Sequence, residues 1–576
     1  MKEYLLIKNE AITSMNTHFS SLIHKKDLWL CGFDEISYAR KNYAIVVDGE
    51  IYNKKELKEE LHDAQYPPIE SLEELFVYAY LYWKEDMMQH IKGAYAFVLL
   101  YDDKILAAKD PLGLSILYYH HKDDTLVISN SIQLMLNNAG IKPRLTSKGL
   151  LDLFAFGPSV PEDHTILDGI KQLPMGSLMS YKDSLNIKTY YRLKAKKHDD
   201  SLTESIDKVR ELVTTSIKRQ MEDVHASFLS GGLDSSIITA IAASLNKDWR
   251  TYSLQYEGNK ENFKGNQYQV SLDDTFIEQM KDRYPCDHTA LMMTQETLRD
   301  KLEDAVLARE FPGMADVDSS LLWLCEQVSQ REHIIMSGEC SDEIFGGYPW
   351  FYREELKDLD TFPWLRSSEE RIKLLHQDIK GLDYQAYIQK QYENSIKDIS
   401  YLPTDTKEDK QARLHTVLCL HWFMQTLVVR QLTMANYADI TIRAPFADVD
   451  TLEYVYNIPW DMKFYKQNEK GILRKAFEDQ LPEDVCWRKK NPFPKTHNPV
   501  YAELVASLLK QRYDDPESAL HKLFDDKELK KLIDSKGASY TLPWYGQLMS
   551  GPQLLAYLYQ IDYWIRVYHV DLDLTN

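Results

Sequence analysis

Two short segments hold the residues best suited to chemistry. Ser230-Gly231-Gly232-Leu233-Asp234-Ser235-Ser236 combines adjacent glycines with three hydroxyls and one carboxylate. Paired glycines let a backbone turn tightly and approach a ligand closely. Where a helix begins at such a turn, its first N–H groups point at any bound anion. The hydroxyls of Ser230, Ser235 and Ser236 add neutral donors. Asp234 has the wrong sign for a phosphate and suits Mg2+, which prefers hard oxygens and bridges phosphate oxygens. No Gly-Lys-Ser/Thr follows, so this is not the Walker A loop. The bland alternative is a Ser/Gly turn that merely caps a helix.

The second segment is Ser337-Gly338-Glu339-Cys340-Ser341-Asp342-Glu343-Ile344-Phe345-Gly346-Gly347-Tyr348. Its acids, Glu339, Asp342 and Glu343, need a reason to crowd a cleft, and a metal supplies one. Asp342 would share Mg2+ with Asp234. Glu339 suits a general base or a group that orients a nucleophile. A helix N-terminus enriched in acids by its dipole gives the same composition without chemistry.

Both segments need a scaffold that aims them at one cavity. Residues 225–229, 251–255, 288–293 and 333–336 read as short buried strands. Helical patterns at 235–245, 275–284, 295–309 and 319–331 alternate with them. This alternation predicts a parallel sheet with helices on both faces. Ligands bind at the carboxyl ends of such strands, where both segments fall. From about Glu354 onward the period is mostly helical. Residues 1 to about 195 differ, with β-type runs at 43–48, 94–101, 105–108 and 126–129 and amphipathic helices at 54–62 and 72–82. That pattern predicts an α+β layered domain. The charged stretch 194–200 is the best linker, giving domains at 1–195 and 196–576.

The chain's 576 residues exceed one domain, and its net charge of −20 disfavours a nucleic-acid partner. The scattered cysteines Cys31, Cys286, Cys325, Cys340, Cys419 and Cys486 form no CxxC pair and read as reduced thiols. No signal-peptide core opens the chain, and no apolar run reaches the roughly 18 residues of a membrane span. A cytoplasmic protein without a membrane partner is expected.

The two segments together resemble the asparagine synthetase family, whose second motif usually reads SGEGADELFGGY. The first segment resembles the PP-loop of N-type ATP pyrophosphatases, which cleave ATP between its α and β phosphates. Further matches are Arg443-Ala444-Pro445-Phe446 with Asp448, 469–475, 488–499 and 543–549. The resemblance implies that ATP and Mg2+ are bound and a carboxylate is adenylated, after which an amine takes the acyl group. It assigns pyrophosphate and Mg2+ to Ser230, Gly231, Gly232, Asp234 and Ser235, with Asp342 on the metal, and the hydroxyl of Ser236 remains a further nucleotide-binding candidate. Leu229 and Leu254 line the adenine pocket and Gly338 approaches the nucleotide, with Ser337 beside it a further nucleotide-binding candidate. Glu339, Lys470 and Arg443 are the catalytic candidates, with Lys470 stabilising charge at the α-phosphate and pyrophosphate. A solvated helix lysine is the plain alternative for Lys470. Related β-lactam synthetases are expected to carry Tyr where Glu339 stands, so Glu points to the ammonia-using branch. Cys340 and Ser341 replace the family's Gly and Ala. The segment before Arg443 is two residues longer than usual, with Thr441 where Glu is common, so the acceptor pocket can differ.

The front part resembles class II glutamine amidotransferases of the N-terminal-nucleophile fold, through 48–57, 93–97 and 109–113. Their chemistry looks lost. The family's N-terminal cysteine is replaced by Met1 and Lys2, and Cys31 has no free α-amine unless processing exposes it. Asp48 replaces the oxyanion-hole Asn, and its carboxylate would repel an oxyanion. The family's S-D-T-E reads Ser71-Leu72-Glu73-Glu74, and no clear substrate-binding Arg stands between Ser20 and Lys41. The expectation is an amide-forming ligase that takes a small acid, foremost aspartate, and ammonia or another amine. A homodimer is one assembly open to it. The alternatives are a lasso-peptide macrolactam synthetase of the same fold and a non-catalytic ATP-binding partner protein.

Overall fold

Alternation along the strand Lys41–Ile51 organises the front of the molecule. Ile45 and Val47 face one way and Ala44 and Val46 the other, because successive strand side chains point to opposite faces. The computed structural model describes residues 2–9, 11–12, 14–15, 21–25, 27–263, 272–365, 368–541, 543–546 and 549–574. Met1 and Ser20, named above, and Gln547 and Leu548 of the segment 543–549 lie outside the described residues. The chain divides into two units, 1–149 with 160–193, and 150–159 with 194–576.

The first unit holds two six-stranded antiparallel sheets. In one, Lys41–Ile51 lies between Gly93–Tyr101 and Asp34–Tyr38; in the other, Leu5–Lys8 lies between Thr125–Ser129 and Leu28–Cys31. Val46, Val98, Leu6, Leu30 and Ile128 fill the space between the sheets. Ile45, Val47, Phe97 and Leu99 face the helices Lys54–Asp63 and Leu72–Trp83, which carry Leu57, Leu61, Phe76 and Val77. The unit is therefore layered α+β. Its edge strands, such as Leu22–Lys25 with three exposed residues in four, carry too little apolar alternation to be read from sequence.

The second unit is built on a five-stranded parallel sheet. The spatial order is Asp287–Met293, Arg250–Tyr256, Ala226–Phe228, Ile334–Met336 and Thr441–Arg443. The chain steps outward from Ala226–Phe228 in one direction, then returns to start Ile334–Met336 on its other side. Those two neighbours mark the switch point, where an α/β sheet opens a crevice at its carboxyl ends. Helices including Leu233–Leu245, Gln295–Arg309, Asp316–Val328 and Met424–Tyr437 complete this α/β unit, and a long helical part follows. Residues 150–159 also belong here, with Phe156 against Phe362, Tyr387 and Trp422. Among the described residues, no helix is long and apolar enough to cross a membrane.

Candidate active site

The glycine loop follows from the end of its strand. Leu229 N–H donates to the Tyr252 carbonyl at 2.8 Å, the last tie to the sheet before the turn. Gly231 has φ +64°, and a Cβ there would stand 2.7 Å from Phe276 Cβ, so glycine is required. Gly232 caps the Leu233–Leu245 helix without offering any side chain to its amides. First-turn N–H groups left this way form an anion site. Ser235 Oγ accepts from Ser230 N–H at 3.2 Å and donates to the Gly232 carbonyl at 3.3 Å, which fixes the turn.

The second loop leaves the neighbouring strand and touches the first. Ser337 N–H donates to the Arg443 carbonyl at 2.8 Å. A Cβ on Gly338 would meet Asp234 Cβ and Ser235 N at 2.9 Å, so this close approach needs glycine. Ser341 Oγ donates to Asp234 Oδ1 at 2.7 Å. Cys340 sits at φ +71°, a left-handed conformation that costs an L residue about 1–2 kcal/mol. The departure from the family's Gly thus falls where Gly would be unstrained.

Lys470 joins both loops. Its ammonium lies 2.8 and 2.6 Å from the two oxygens of Asp234 and 2.8 Å from Asp342 Oδ1. Lys490 also donates to Asp342. Lys470 is buried, which removes the solvated-lysine alternative. Burial pulls its ammonium down, but Asp234 and Asp342 outweigh that and hold it above the ordinary lysine value. Burial likewise pushes the Asp342 carboxyl up, yet Lys470 and Lys490 keep it well below the usual carboxylate range. Next to it, burial and the charge of Asp342 push Glu343 up to about 7, and Tyr348 donates to it at 2.8 Å.

These residues suit a triphosphate and Mg2+. An uncapped helix start, a glycine that admits close approach, the buried Lys470 and the half-buried Lys490 match polyphosphate. Asp234 and Asp342 converge on one ammonium, so one cation can address both. Among the described residues no cluster of three or more His, Cys, Asp or Glu could hold a metal. Two carboxylates are nevertheless enough for Mg2+, which takes its remaining oxygens from phosphates and water.

One cavity is lined by Leu229, Ser230, Gly232, Asp234, Ser235, Leu254, Ser337, Gly338, Glu339, Asp342 and Lys470. Three sequence candidates are not among its lining residues. Gly231 turns its carbonyl to Arg488 at 3.1 Å, and Ser236 is fully buried. Arg443 is the correction of substance. Its guanidinium is buried and donates to the carbonyls of Gln220 and Glu222 at 2.7 and 2.6 Å, which fixes the end of the Leu202–Gln220 helix. Strand alternation explains this, since the backbone of Arg443 reaches the site while its side chain leaves it. Three other arginines line the cavity, Arg430, Arg474 and Arg488, and of these Arg430 donates to Glu339. Sequence reasoning missed it; the signal was a cation directly after the apolar run 427–429. Lys490 lay inside a matching segment without a role.

In the first unit, the residues aligned with glutaminase chemistry pair with one another. Asp48 Oδ1 accepts from Lys2 N–H and Oδ2 from Asn130 Nδ2, both at 2.9 Å. Burial pushes its carboxyl up, and those bonds offset this only in part. The Lys2 ammonium pairs with Asp34 at 2.5 Å and Glu73 at 2.9 Å. Cys31 is fully buried on Leu28–Cys31.

Comparison with known proteins adds the family. The asparagine synthase profile matches residues 208–566, and a glutamine amidotransferase domain profile matches 27–192. A Bacillus subtilis protein named glutamine-hydrolyzing asparagine synthetase 3 is 40% identical over 550 residues, covering 93% of this chain and 89% of its own. Glutamine-hydrolyzing asparagine synthetase 1 of the same organism is 26% identical, covering 80% and 77%. An amidase of Gibberella zeae is 23% identical, covering 85% and 80%.

Proposed function

This chain belongs to the asparagine synthase family of ATP-dependent carbon–nitrogen ligases, and on that premise we propose that it adenylates the side-chain carboxylate of aspartate and passes ammonia to it. A carboxylate oxygen attacks the α-phosphorus of ATP and pyrophosphate leaves. Ammonia then attacks the acyl carbon, AMP leaves with the C–O bond electrons, and the nitrogen loses a proton. The uncapped helix start and the Ser230–Ser236 turn hold the pyrophosphate. Leu229 and Leu254 flank the adenine. Lys470 neutralises charge that builds between the α-phosphate and the leaving group, as a fixed cation away from water. Mg2+ held by Asp234 and Asp342 would supply further charge compensation on the phosphates. Glu339 faces the acceptor end and takes the amine's proton.

The observation that carries this reading is the single ammonium shared by Asp234 and Asp342 beside an uncapped helix. The curated relatives named as glutamine-hydrolyzing own that activity themselves; here the glutaminase half is silent. What supports silence is an aspartate, already saturated by two donors, at the oxyanion position, and a cysteine sealed in a strand. The test feeds the full chain ATP, Mg2+, aspartate and either ammonium or glutamine. Asparagine, AMP and pyrophosphate should form in equal amounts with ammonium, and EDTA should stop them. Glutamate released from glutamine at the synthesis rate defeats the silent half. Absence of pyrophosphate with aspartate defeats the ligase assignment.

A further inference from the structure

One charge pair in the cavity has loose ends. Arg430 is buried, and its guanidinium lies 4.8 Å over the ring of Phe493. It donates through Nη2 to Glu339 Oε1. Arg430 Nε and Glu339 Oε2 are both closed off from solvent and have no hydrogen-bond partner. Both residues line the cavity. A buried pair left with one open donor and one open acceptor is costly. A pair that only neutralises itself can close as a two-pronged fork. Arg250 and Glu332 in this unit do so, with bonds of 2.5 and 2.7 Å. Val317, Leu321 and Leu427 wall the same cavity, and an apolar wall strengthens any charge interaction beside it.

We infer that Arg430 is a specificity-determining residue of the acceptor pocket. Once side chains shift to uncover it, its open N–H takes a carboxylate of the acceptor that is not activated, while its bond to Glu339 leaves Oε2 for the amine. The pocket thereby selects an amino acid with two carboxylates over one that has only the carboxylate to be adenylated. This rests on the ligase reading and adds to it a residue and a selectivity.

The discriminating pair of probes is L-aspartate and β-alanine, which keeps the amine and the reacting carboxylate but lacks the other one. Binding of each is measured by calorimetry on the full chain with Mg2+ and α,β-methylene-ATP, for wild type, Arg430→Met and Arg430→Lys. Wild type should bind aspartate at least about tenfold more tightly than β-alanine. Arg430→Met should weaken aspartate by roughly 10- to 100-fold, bring the ratio near one and leave the nucleotide affinity within about twofold. Arg430→Lys should retain part of the preference. If Arg430→Met does not fold, weaker aspartate with unchanged β-alanine in Arg430→Lys carries the same result. A variant that keeps the wild-type preference overturns the inference, as does a wild type that binds the two probes equally or binds neither. Arg430-dependent binding of aspartate without pyrophosphate release from ATP would instead defeat the ligase reading and leave this assignment standing.

Discussion

Both units bury acids beside cations, and they end in opposite states. In the front unit each oxygen of Asp48 has a donor, and the Lys2 ammonium is held by Asp34 and Glu73. In the second unit the helix behind Gly232 has no side-chain cap, and Glu339 and Arg430 keep unused polar atoms in a cavity. Buried polar groups are normally satisfied, so an open donor and acceptor that also line a cavity suit completion by a ligand, whereas others, such as the Tyr4 and Tyr95 hydroxyls of the front unit, do not line that cavity. On the reading proposed above, saturation by internal partners, more than the presence of acids, would separate a retired site from a working one.

The sharpest way to break this contrast is Lys470→Met. Asp234 and Asp342 then lose their shared cation, and ATP-dependent pyrophosphate release should fall by about 10³-fold. A loss under tenfold would mean that the ammonium is structural only. Gly338→Ala comes next. Its Cβ would press on Asp234 Cβ and Ser235 N at 2.9 Å, neither of which is a flexible end. The cost should be roughly 1–3 kcal/mol in thermal or denaturant unfolding, with a higher KM for ATP. An unchanged KM would show that the loops do not meet around the nucleotide.

Smaller effects come from the front unit. Asp48→Asn restores the family's residue but sets an amide N–H2 against one of two donors, Lys2 N–H or Asn130 Nδ2. It should lower stability by about 1–3 kcal/mol and gain no glutaminase activity. Glutamate release by this variant would show that Asp48 alone had silenced the unit. Cys31→Ala should leave ammonia-dependent synthesis unchanged and cost at most about 1–2 kcal/mol, because a small buried side chain is trimmed without exposing the site. A fall in synthesis would tie the buried thiol to the ligase reaction.

Much of this was legible in the residues, and the gaps have physical causes. Ser230–Ser236 and Ser337–Asp342 announced themselves because a glycine turn between strand and helix has few other uses. The alternating strands and helices around them gave the parallel sheet. The strand Thr441–Arg443 did not show, since its one apolar residue, Ile442, stands between the polar Thr441 and Arg443. The second unit's claim on residues 150–159 was also hidden, because Phe156 finds Phe362 and Trp422 only after the chain has folded.

By itself the sequence determined which groups this protein offers for chemistry: a glycine loop suited to phosphates, carboxylates suited to a cation, and a front domain with Asp48 where the family's Asn is expected. These follow from local spacing and residue type, which chain order preserves. Only the tertiary structure decided which arginines line the cavity and which lysines reach the aspartates. Arg443 and Arg430 are 13 residues apart and chemically identical, so strand alternation and helix facing choose between them. Lys470 meets Asp234 across 236 positions of chain, a contact that only packing can create.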